Sequence, residues 1–223
     1  LRDTYLLKAI MDAGFVVPTL CNHKDLTPNG TCRLCMVEIE ERGKKKMVTS
    51  CNYPVRSEIT VNTKAEKVLK HRKTLAEMYL GRWPNVKAIQ DVAKLCGAED
   101  KEKFKSELTD ENEKACILCG KCVRACNEFI QERIIDFAGR GFKRHITMPF
   151  GYSDPHCVGC TSCSFVCPTG AIQVMDELNH PLNPELIRKH GMKVNAEMAN
   201  LDQFQCRMRE VGTANIVDVM DAY

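Results

Sequence analysis

The first part of the chain switches between helical and extended patterns of apolar positions. Residues 4–13 carry apolar side chains at helical spacing and are followed by Gly14, which predicts a short amphipathic helix. Residues 36–40 alternate apolar and polar side chains, and residues 47–49 resume the strand pattern after a turn, which predicts a β-hairpin. Residues 58–61 predict one more short strand. We therefore expect a small mixed domain of helix and sheet over residues 1–62.

The next stretch has a helical pattern. Thr63 and Glu66 are spaced as a capping box, and the apolar face that follows runs to a stop at Gly81. That face is predicted to contain Val68, Leu69, Arg72, Leu75, Met78 and Tyr79. A second helix is predicted over residues 85–96, and the Lys- and Glu-rich residues 98–114 predict a surface connector. Residues 63–114 are thus expected to be a helical linker.

The remaining sequence contains an internal repeat and a tail. The cysteine spacing of residues 116–126 returns at residues 157–167, which indicates a duplicated unit and predicts a domain over residues 115–177. Residues 183–191 and 196–210 predict two short helices in a tail over residues 178–223, a possible docking arm or linker. The whole pattern is that of an α+β protein.

Sulfur sets the composition apart. Of 223 residues 14 are cysteine, and twelve of them fall into ordered spacings that disulfide bonds would not require. Metal ligation in a reducing compartment, and hence a cytoplasmic location, is the favoured interpretation. No run of about 18 apolar residues is present, so no membrane span is expected. Because Leu1 is neither an initiator methionine nor part of a signal peptide, we expect an unseen segment before it.

Each half of the repeat has the spacing C-x2-C-x2-C-x3-C, which is typical of ferredoxins with two 4Fe-4S clusters. In such runs the first three thiolates bind one cluster and the fourth binds the other. One cluster is therefore assigned to Cys116, Cys119, Cys122 and Cys167. The other is assigned to Cys157, Cys160, Cys163 and Cys126. Structural zinc is disfavoured, because zinc sites usually take two cysteines from each of two separated loops.

The first domain contains a third cysteine group. Its members are Cys21, Cys32, Cys35 and Cys51. The spacing is a variant of the plant-type 2Fe-2S pattern with a longer first loop, and Gly30 beside Cys32 would let backbone amides approach the sulfur atoms. The formal charge of +3 falls to about −3 once twelve thiolates and three oxidised cluster cores are counted, so it does not indicate nucleic acid binding.

These motifs together resemble a known family. Residues 19–23, 30–38 and 49–51, followed by the twin-cluster module, are similar to the iron-sulfur subunit shared by respiratory complex I, NAD-reducing hydrogenases and NAD-linked formate dehydrogenases. The resemblance covers roughly residues 1–175. It implies a β-grasp fold for the 2Fe-2S domain, whose first hairpin would be the unseen N-terminal segment. It also implies a flavin-containing NAD(P)H-oxidising partner and a catalytic partner of hydrogenase or formate dehydrogenase type.

The sequence departs from that family at one place. The family commonly has a histidine and three cysteines between these domains, which hold another 4Fe-4S cluster. The corresponding residues 80–86 contain no cysteine. We therefore expect this additional cluster to be absent.

Several other residues have an ordinary structural interpretation. Cys96 is expected to be a buried free thiol, Cys206 a packing residue, and His71 part of a solvated helix face. Arg33, Lys121 and Arg124 lie in the cluster loops, where a role in raising reduction potentials and a role in solubility are equally supported. Residues 44–46, all lysine, are predicted to be a solvated hairpin tip.

Three functions remain to be weighed. No dinucleotide fingerprint, P-loop, nucleophile elbow or zincin motif is present, which favours an electron-relay subunit that performs no substrate chemistry itself. Whether its complex bifurcates electrons stays open. The alternative is the N-terminal electron-entry region of a longer catalytic chain, such as a molybdenum or tungsten formate dehydrogenase or an iron-only hydrogenase. A free-standing ferredoxin shuttle is disfavoured by the long linker and tail.

Overall fold

The computed structural model describes residues 4–148, 157 and 160–172. These residues form two compact units. The first contains residues up to 23 and residues 27–119, and the second contains residues 24–26 and the described residues from 120 onward. The predicted tail over residues 178–223, with its two helices and Cys206, lies outside the described residues. No helix in the described part of the chain is long and apolar enough to cross a membrane.

A three-stranded antiparallel sheet organises the start of the first unit. The strands β1 (Met36–Glu41), β2 (Lys44–Thr49) and β3 (Thr60–Asn62) lie in the order β2-β1-β3. The alternation in β1 buries Val37 and Ile39 completely, and helix α1 (Leu6–Asp12) packs its apolar side against them. The predicted hairpin and helix are therefore confirmed. The third strand begins two residues later than predicted.

Two helices form the rest of this unit. Helix α2 spans Glu66–Arg82 and helix α3 spans Lys87–Leu95. The predicted capping box is wrong, because α2 begins after Ala65 with no side-chain cap, and the Thr63 carbonyl instead accepts a hydrogen bond from Arg72. The helix also runs one residue past Gly81.

The buried face of α2 is rotated from the one predicted. Leu69 and Met78 are about half exposed, whereas Glu77 and Gly81 are buried. The cause is the connector, residues 98–114, which packs along this side of the helix. Lys103 pairs with Glu77 at 2.6 Å, the Thr109 hydroxyl donates to the Gly81 carbonyl at 2.7 Å, and the Asp110 amide donates to the Arg82 carbonyl at 2.8 Å.

Gly81 is required where the connector meets α2. A Cβ atom at this position would lie 2.6 Å from the backbone carbon of Phe104 and 2.7 Å from its oxygen. We expect G81A to destabilise the protein by about 1–3 kcal/mol, although alanine is the better helix former. The added methyl group would clash with the backbone of Phe104, and backbone atoms cannot move away without distorting the connector. The apparent Tm of the anaerobic holoprotein should fall by roughly 2–4 °C per kcal/mol.

The exposed position Met78 on the same helix supplies the control for this substitution. M78A should change the stability by less than about 0.5 kcal/mol, since it removes little buried surface. An unchanged or raised Tm in G81A would show that the connector does not pack closely against Gly81.

The second unit is built around two short helices at equivalent places in the repeat. Helix α4 spans Lys121–Ala125 and continues into a π-helical turn, Cys126–Ile130, while helix α5 spans Ser162–Phe165. Strands β4 (Asp136–Ala138) and β5 (His145–Thr147) form an antiparallel hairpin that the sequence pattern does not predict. The described core of this unit includes Leu26, Cys122, Val123, Ala125, Ile135 and Val166.

Candidate metal centres

The four cysteines of the first group converge in the first unit. Cys21 follows the extended residues after α1, Cys32 and Cys35 precede β1, and Cys51 lies in the 3-10 turn Ser50–Asn52 that follows β2. All four thiols are at most 5% exposed. Ser50 ties these loops together, because both its amide, at 3.2 Å, and its hydroxyl, at 2.7 Å, donate to the Cys35 carbonyl.

The four thiols form two hydrogen-bonded pairs. The bond between Cys21 and Cys32, together with burial, raises the pKa of Cys21, and the same bond lowers the pKa of Cys32. The bond between Cys35 and Cys51 likewise lowers the pKa of Cys35 and raises that of Cys51, with burial adding to the rise. Each pair therefore contains one thiol that ionises readily, and the thiolate is the form that binds metals.

The pairing suits a binuclear centre. Within the described residues, no three His, Cys, Asp or Glu side chains are placed to hold one metal ion together. Two separate thiol pairs instead offer two ligands to each of two irons. The donor set, four buried cysteine sulfurs, is the set that a 2Fe-2S cluster takes.

The backbone around Cys32 turns its amides toward sulfur. The Cys32 amide donates to the Cys21 sulfur at 3.4 Å. Gly30 has a φ of +66°, and a Cβ atom there would lie 2.8 Å from Nδ2 of Asn52, so this close loop requires glycine. Arg33, which is exposed, has a φ of 57°.

Three of the C-x2-C turns share this left-handed residue directly after their first cysteine. The residues are Arg33, Gly120 and Thr161, with φ of 57°, 71° and 62°. Amides of Leu34 and Ser162 donate to the sulfur atoms of Cys32 and Cys160, which favours their thiolates. A left-handed residue aligns successive N–H groups into a concave anion site, so the same turn is built for sulfur three times.

Cys160 and Cys163 lie within electrostatic reach of other described cysteines of the second unit. Burial raises the pKa of Cys160 and Cys163, and negative charge on Cys157 and Cys126 adds to both rises. The structure therefore brings Cys126, from the first run, near Cys160 and Cys163 of the second run, and negative charge on Cys122 also raises the pKa of Cys163. The cysteines Cys116 and Cys119 belong to the first unit, where Cys116 is exposed and Cys119 packs against the core.

The final cysteine of the second run has its own hydrogen bonds. Burial opposes ionisation of Cys167, but the Thr169 hydroxyl and the amides of Ile172, Thr169 and Ala171 lower its pKa. In the first run the Ile134 amide donates to the Cys126 sulfur at 3.4 Å. Both fourth cysteines therefore accept hydrogen bonds at sulfur, although the donors come from different neighbours.

A buried hydroxyl indicates that the second run faces a further acceptor. Thr161 is only 1% exposed, and within the described residues its Oγ1 has no hydrogen-bond partner. Leaving a hydroxyl buried and unbonded is costly. A group with acceptor sulfur atoms beside Cys160 would satisfy it, so these residues fit a 4Fe-4S cluster.

Cys96, His71 and the lysine run lie outside the three cysteine groups. Cys96 is half-buried where a buried thiol was predicted, and burial raises its pKa. The prediction of a solvated His71 is wrong in part, since its Nε2 lies 3.3 Å from the Arg33 carbonyl. In the lysine run, Lys45 and Lys46 are exposed as expected and pair with Glu40 and Glu41 across the hairpin.

Two family models match the chain in the regions that hold these cysteines. A 2Fe-2S iron-sulfur cluster binding domain matches residues 1–66, and a 4Fe-4S dicluster domain matches residues 110–174. The predicted cofactor set of one 2Fe-2S cluster and two 4Fe-4S clusters is therefore confirmed. So is a fold of ferredoxin-type domains with helices and small sheets.

Known proteins align with most of the chain. It is 31% identical over 190 residues to the NADPH-Fe(3+) oxidoreductase subunit alpha of Geobacter sulfurreducens (strain DL-1 / KN400), covering 77% of this chain and 22% of that protein. It is 28% identical over 194 residues to the NADP-reducing hydrogenase subunit HndD of Solidesulfovibrio fructosivorans, covering 75% and 33%. It is 27% identical over 157 residues to the mitochondrial NADH-ubiquinone oxidoreductase 78 kDa subunit of Candida albicans, covering 61% and 22%.

A solved structure is similar as well. A chain in the crystal structure of an NAD+-reducing NiFe hydrogenase in the H2-reduced state aligns with a TM-score of 0.56 and 26% identity. The match covers 66% of this chain and 69% of that chain. The chain spans between about a fifth and a third of the curated relatives named above. The resemblance to iron-sulfur subunits of complex I and of NAD(P)-linked hydrogenases is thus confirmed.

Proposed function

We propose that this chain, an iron-sulfur electron-transfer protein related to subunits of NAD(P)H-linked oxidoreductases, relays single electrons between a flavin-containing NAD(P)H-oxidising partner and a catalytic partner. An iron-sulfur cluster, when bound, accepts and releases one electron at a time. The observation that carries the proposal is the set of three cysteine groups inside two matched cluster domains. The residues of the chain supply the thiolates, exclude water and fix the surroundings of each cluster.

We assign the ligands of the 2Fe-2S cluster from the thiol pairs. Cys21 and Cys32 would bind one iron, and Cys35 and Cys51 would bind the other, because each pair is already in contact. The β-grasp topology of this domain remains part of the proposal. It is supported by helix α1, which packs against the antiparallel sheet with the strand order β2-β1-β3.

The crossed ligand sets of the 4Fe-4S clusters also remain a proposal. One cluster would take Cys116, Cys119, Cys122 and Cys167. The other would take Cys157, Cys160, Cys163 and Cys126. The electrostatic effect of Cys126 on Cys160 supports the second set.

We propose that no further cluster lies in the linker. Where the family's additional ligands would be, Trp83 is nearly buried and stacks on Tyr79, with ring centroids 5.9 Å apart and planes inclined by 22°. The Tyr79 hydroxyl donates to the Cys32 carbonyl at 3.3 Å. This aromatic pair packs in the core that also contains Cys21 and Cys32, and this packing supports the proposal.

Two forms of this function are open. The chain could act as a relay subunit of a hydrogenase or formate dehydrogenase complex, or as the electron-entry region of a longer catalytic polypeptide. The second form is consistent with relatives that are several times longer than the aligned region. Cysteine ligands of this number require a reducing compartment, and we place the protein in the cytoplasm.

Anaerobic purification of the native protein from its source tests this function. We expect a flavin-containing NAD(P)H-oxidising subunit and a catalytic subunit to co-purify in fixed ratio, and NAD(P)H to bleach the cluster absorption of the complex. The intact mass of the cluster-bearing polypeptide separates the two forms. Recovery as a lone monomer that NAD(P)H cannot reduce, even with added cell extract, would contradict the relay between these partners.

A further inference from the structure

Helix α2 carries a buried cation. Arg72 is 6% exposed. Its Nη1 donates to the Thr63 carbonyl at 3.1 Å, and its Nη2 donates to the Met36 carbonyl at 2.6 Å. Its Nε has no hydrogen-bond partner in the described part of the chain. Within the described residues, the hydrogen bonds of the guanidinium therefore go to neutral carbonyl groups. One of these carbonyls belongs to Met36, the residue directly after Cys35.

A buried guanidinium needs a negative partner. Arginine stays protonated in proteins, and removing its charge from water is costly unless an opposite charge lies nearby. None of the ion pairs formed among the described residues involves Arg72. The buried carboxylate on the same helix, Glu77, pairs with Lys103 instead.

Among the described residues, the negative groups that act on Arg72 are two cysteines. Burial lowers the pKa of Arg72, and negative charge on Cys96 and Cys35 counteracts that effect. Burial raises the pKa of Cys96 by more than the charge of Arg72 lowers it, so this thiol is neutral. Cys35 belongs to the proposed ligands of the 2Fe-2S cluster, where its thiolate would be permanent. The compensating charge is therefore that of the cluster and its thiolates.

We propose that Arg72 is the buried counter-charge of the 2Fe-2S cluster and raises its reduction potential. The inference rests on the proposed function, because it requires a cluster at Cys21, Cys32, Cys35 and Cys51. Reduction adds one electron to an already anionic centre, and a fixed cation in a water-excluded site stabilises the reduced form more than the oxidised form. Arg72 exchanges neither a proton nor an electron, so it is a positioning residue that acts through the Cys35–Met36 backbone and through its field.

An EPR-monitored, dye-mediated redox titration of the anaerobic holoprotein tests this role. R72M removes the charge at similar length, R72Q removes it but keeps a hydrogen-bond donor, and R72K keeps the charge with a different head group. We expect R72M and R72Q to lower the equilibrium constant for reduction of the 2Fe-2S cluster at least tenfold, which is about 59 mV for one electron. R72K should stay nearer to the wild type, and the 4Fe-4S potentials in the same samples should not move.

Arg33 provides the matched control. It is a cation directly next to a ligand, but it is exposed, so water and salt screen its charge. R33M should shift the 2Fe-2S potential less than R72M, and its shift should shrink as ionic strength rises. The R72M shift should persist at high salt, because a buried charge is not screened in this way.

Each outcome decides the matter. If both neutral variants lose only the 2Fe-2S signal while R72K keeps it, the charge is needed to hold the cluster, which supports the role of Arg72 as its counter-charge. Equal 2Fe-2S potentials in all variants, or loss of the cluster or of the fold in R72K as well, would show that Arg72 is only a clamp on the Thr63 and Met36 carbonyls. Absence of a 2Fe-2S signal from the wild type would instead defeat the proposed function itself.

Discussion

The substitution C51S is expected to remove the 2Fe-2S cluster and to leave both 4Fe-4S clusters in place. Cys51 is 2% exposed and contacts Cys35, so the substitution removes one of four buried ligands and breaks one thiol pair. A serine hydroxyl ionises far less readily than a thiol, so one iron would lack a thiolate. The iron content of anaerobic protein should fall by about two atoms per chain, with loss of the corresponding EPR signal.

Cys96 is the control for this prediction. It is a half-buried thiol in the same unit but outside the three cysteine groups, and C96S should keep the full iron content and all signals. The account is contradicted if C51S retains its iron. It is equally contradicted if C96S loses as much iron as C51S, because iron loss would then report general damage to the first unit.

The second large effect concerns the ligand that crosses between the two runs. If Cys126 and Cys160 bind the same 4Fe-4S cluster, the double variant C126S/C160S should lose only one cluster, about four irons per chain. If Cys126 and Cys122 bind different clusters, C122S/C126S should lose both, about eight irons per chain. The electrostatic coupling of Cys126 to Cys160 is the structural reason for this expectation.

Iron and sulfide analysis of the two double variants, with the 2Fe-2S signal as an internal standard, makes the measurement. Effects on one cluster do not add, whereas effects on separate clusters do. Uncrossed ligation would exchange the two results, with about eight irons lost in C126S/C160S and about four in C122S/C126S. Such an exchange would overturn the proposed ligand sets while leaving the cofactor count intact.

Much of the fold follows from local pattern. The helix before Cys21, the hairpin around Gly43 and the two linker helices all form close to where apolar spacing predicts them. The cysteine groups are also predictable, because ligand spacing along a loop is dictated by the size of a cluster. These features depend on residues that are near each other in the chain.

The errors have a non-local cause. Glu77 and Gly81 are buried because the irregular connector covers one side of α2, whereas Leu69 and Met78 are about half exposed. The sequence of α2 alone does not predict that contact. The β4–β5 hairpin has only three residues in each strand, too few to show an alternation.

The finer geometry of the metal centres was also beyond the sequence. Arg33 and Thr161 adopt a left-handed backbone that non-glycine residues rarely show, so no pattern predicts it. The sequence pattern places Arg72 on a helix face and predicts no special role for it. Its burial, with no carboxylate partner in the part of the chain that the structure describes, is what distinguishes it.

Metal analysis of the anaerobically prepared wild-type protein, combined with EPR after dithionite reduction, measures whether this chain carries three iron-sulfur clusters. We expect three clusters, with about ten irons and about ten acid-labile sulfides per chain and with separate 2Fe-2S and 4Fe-4S signals on reduction. Zinc in stoichiometric amount, with neither iron nor a paramagnetic signal in the reduced sample, would contradict it.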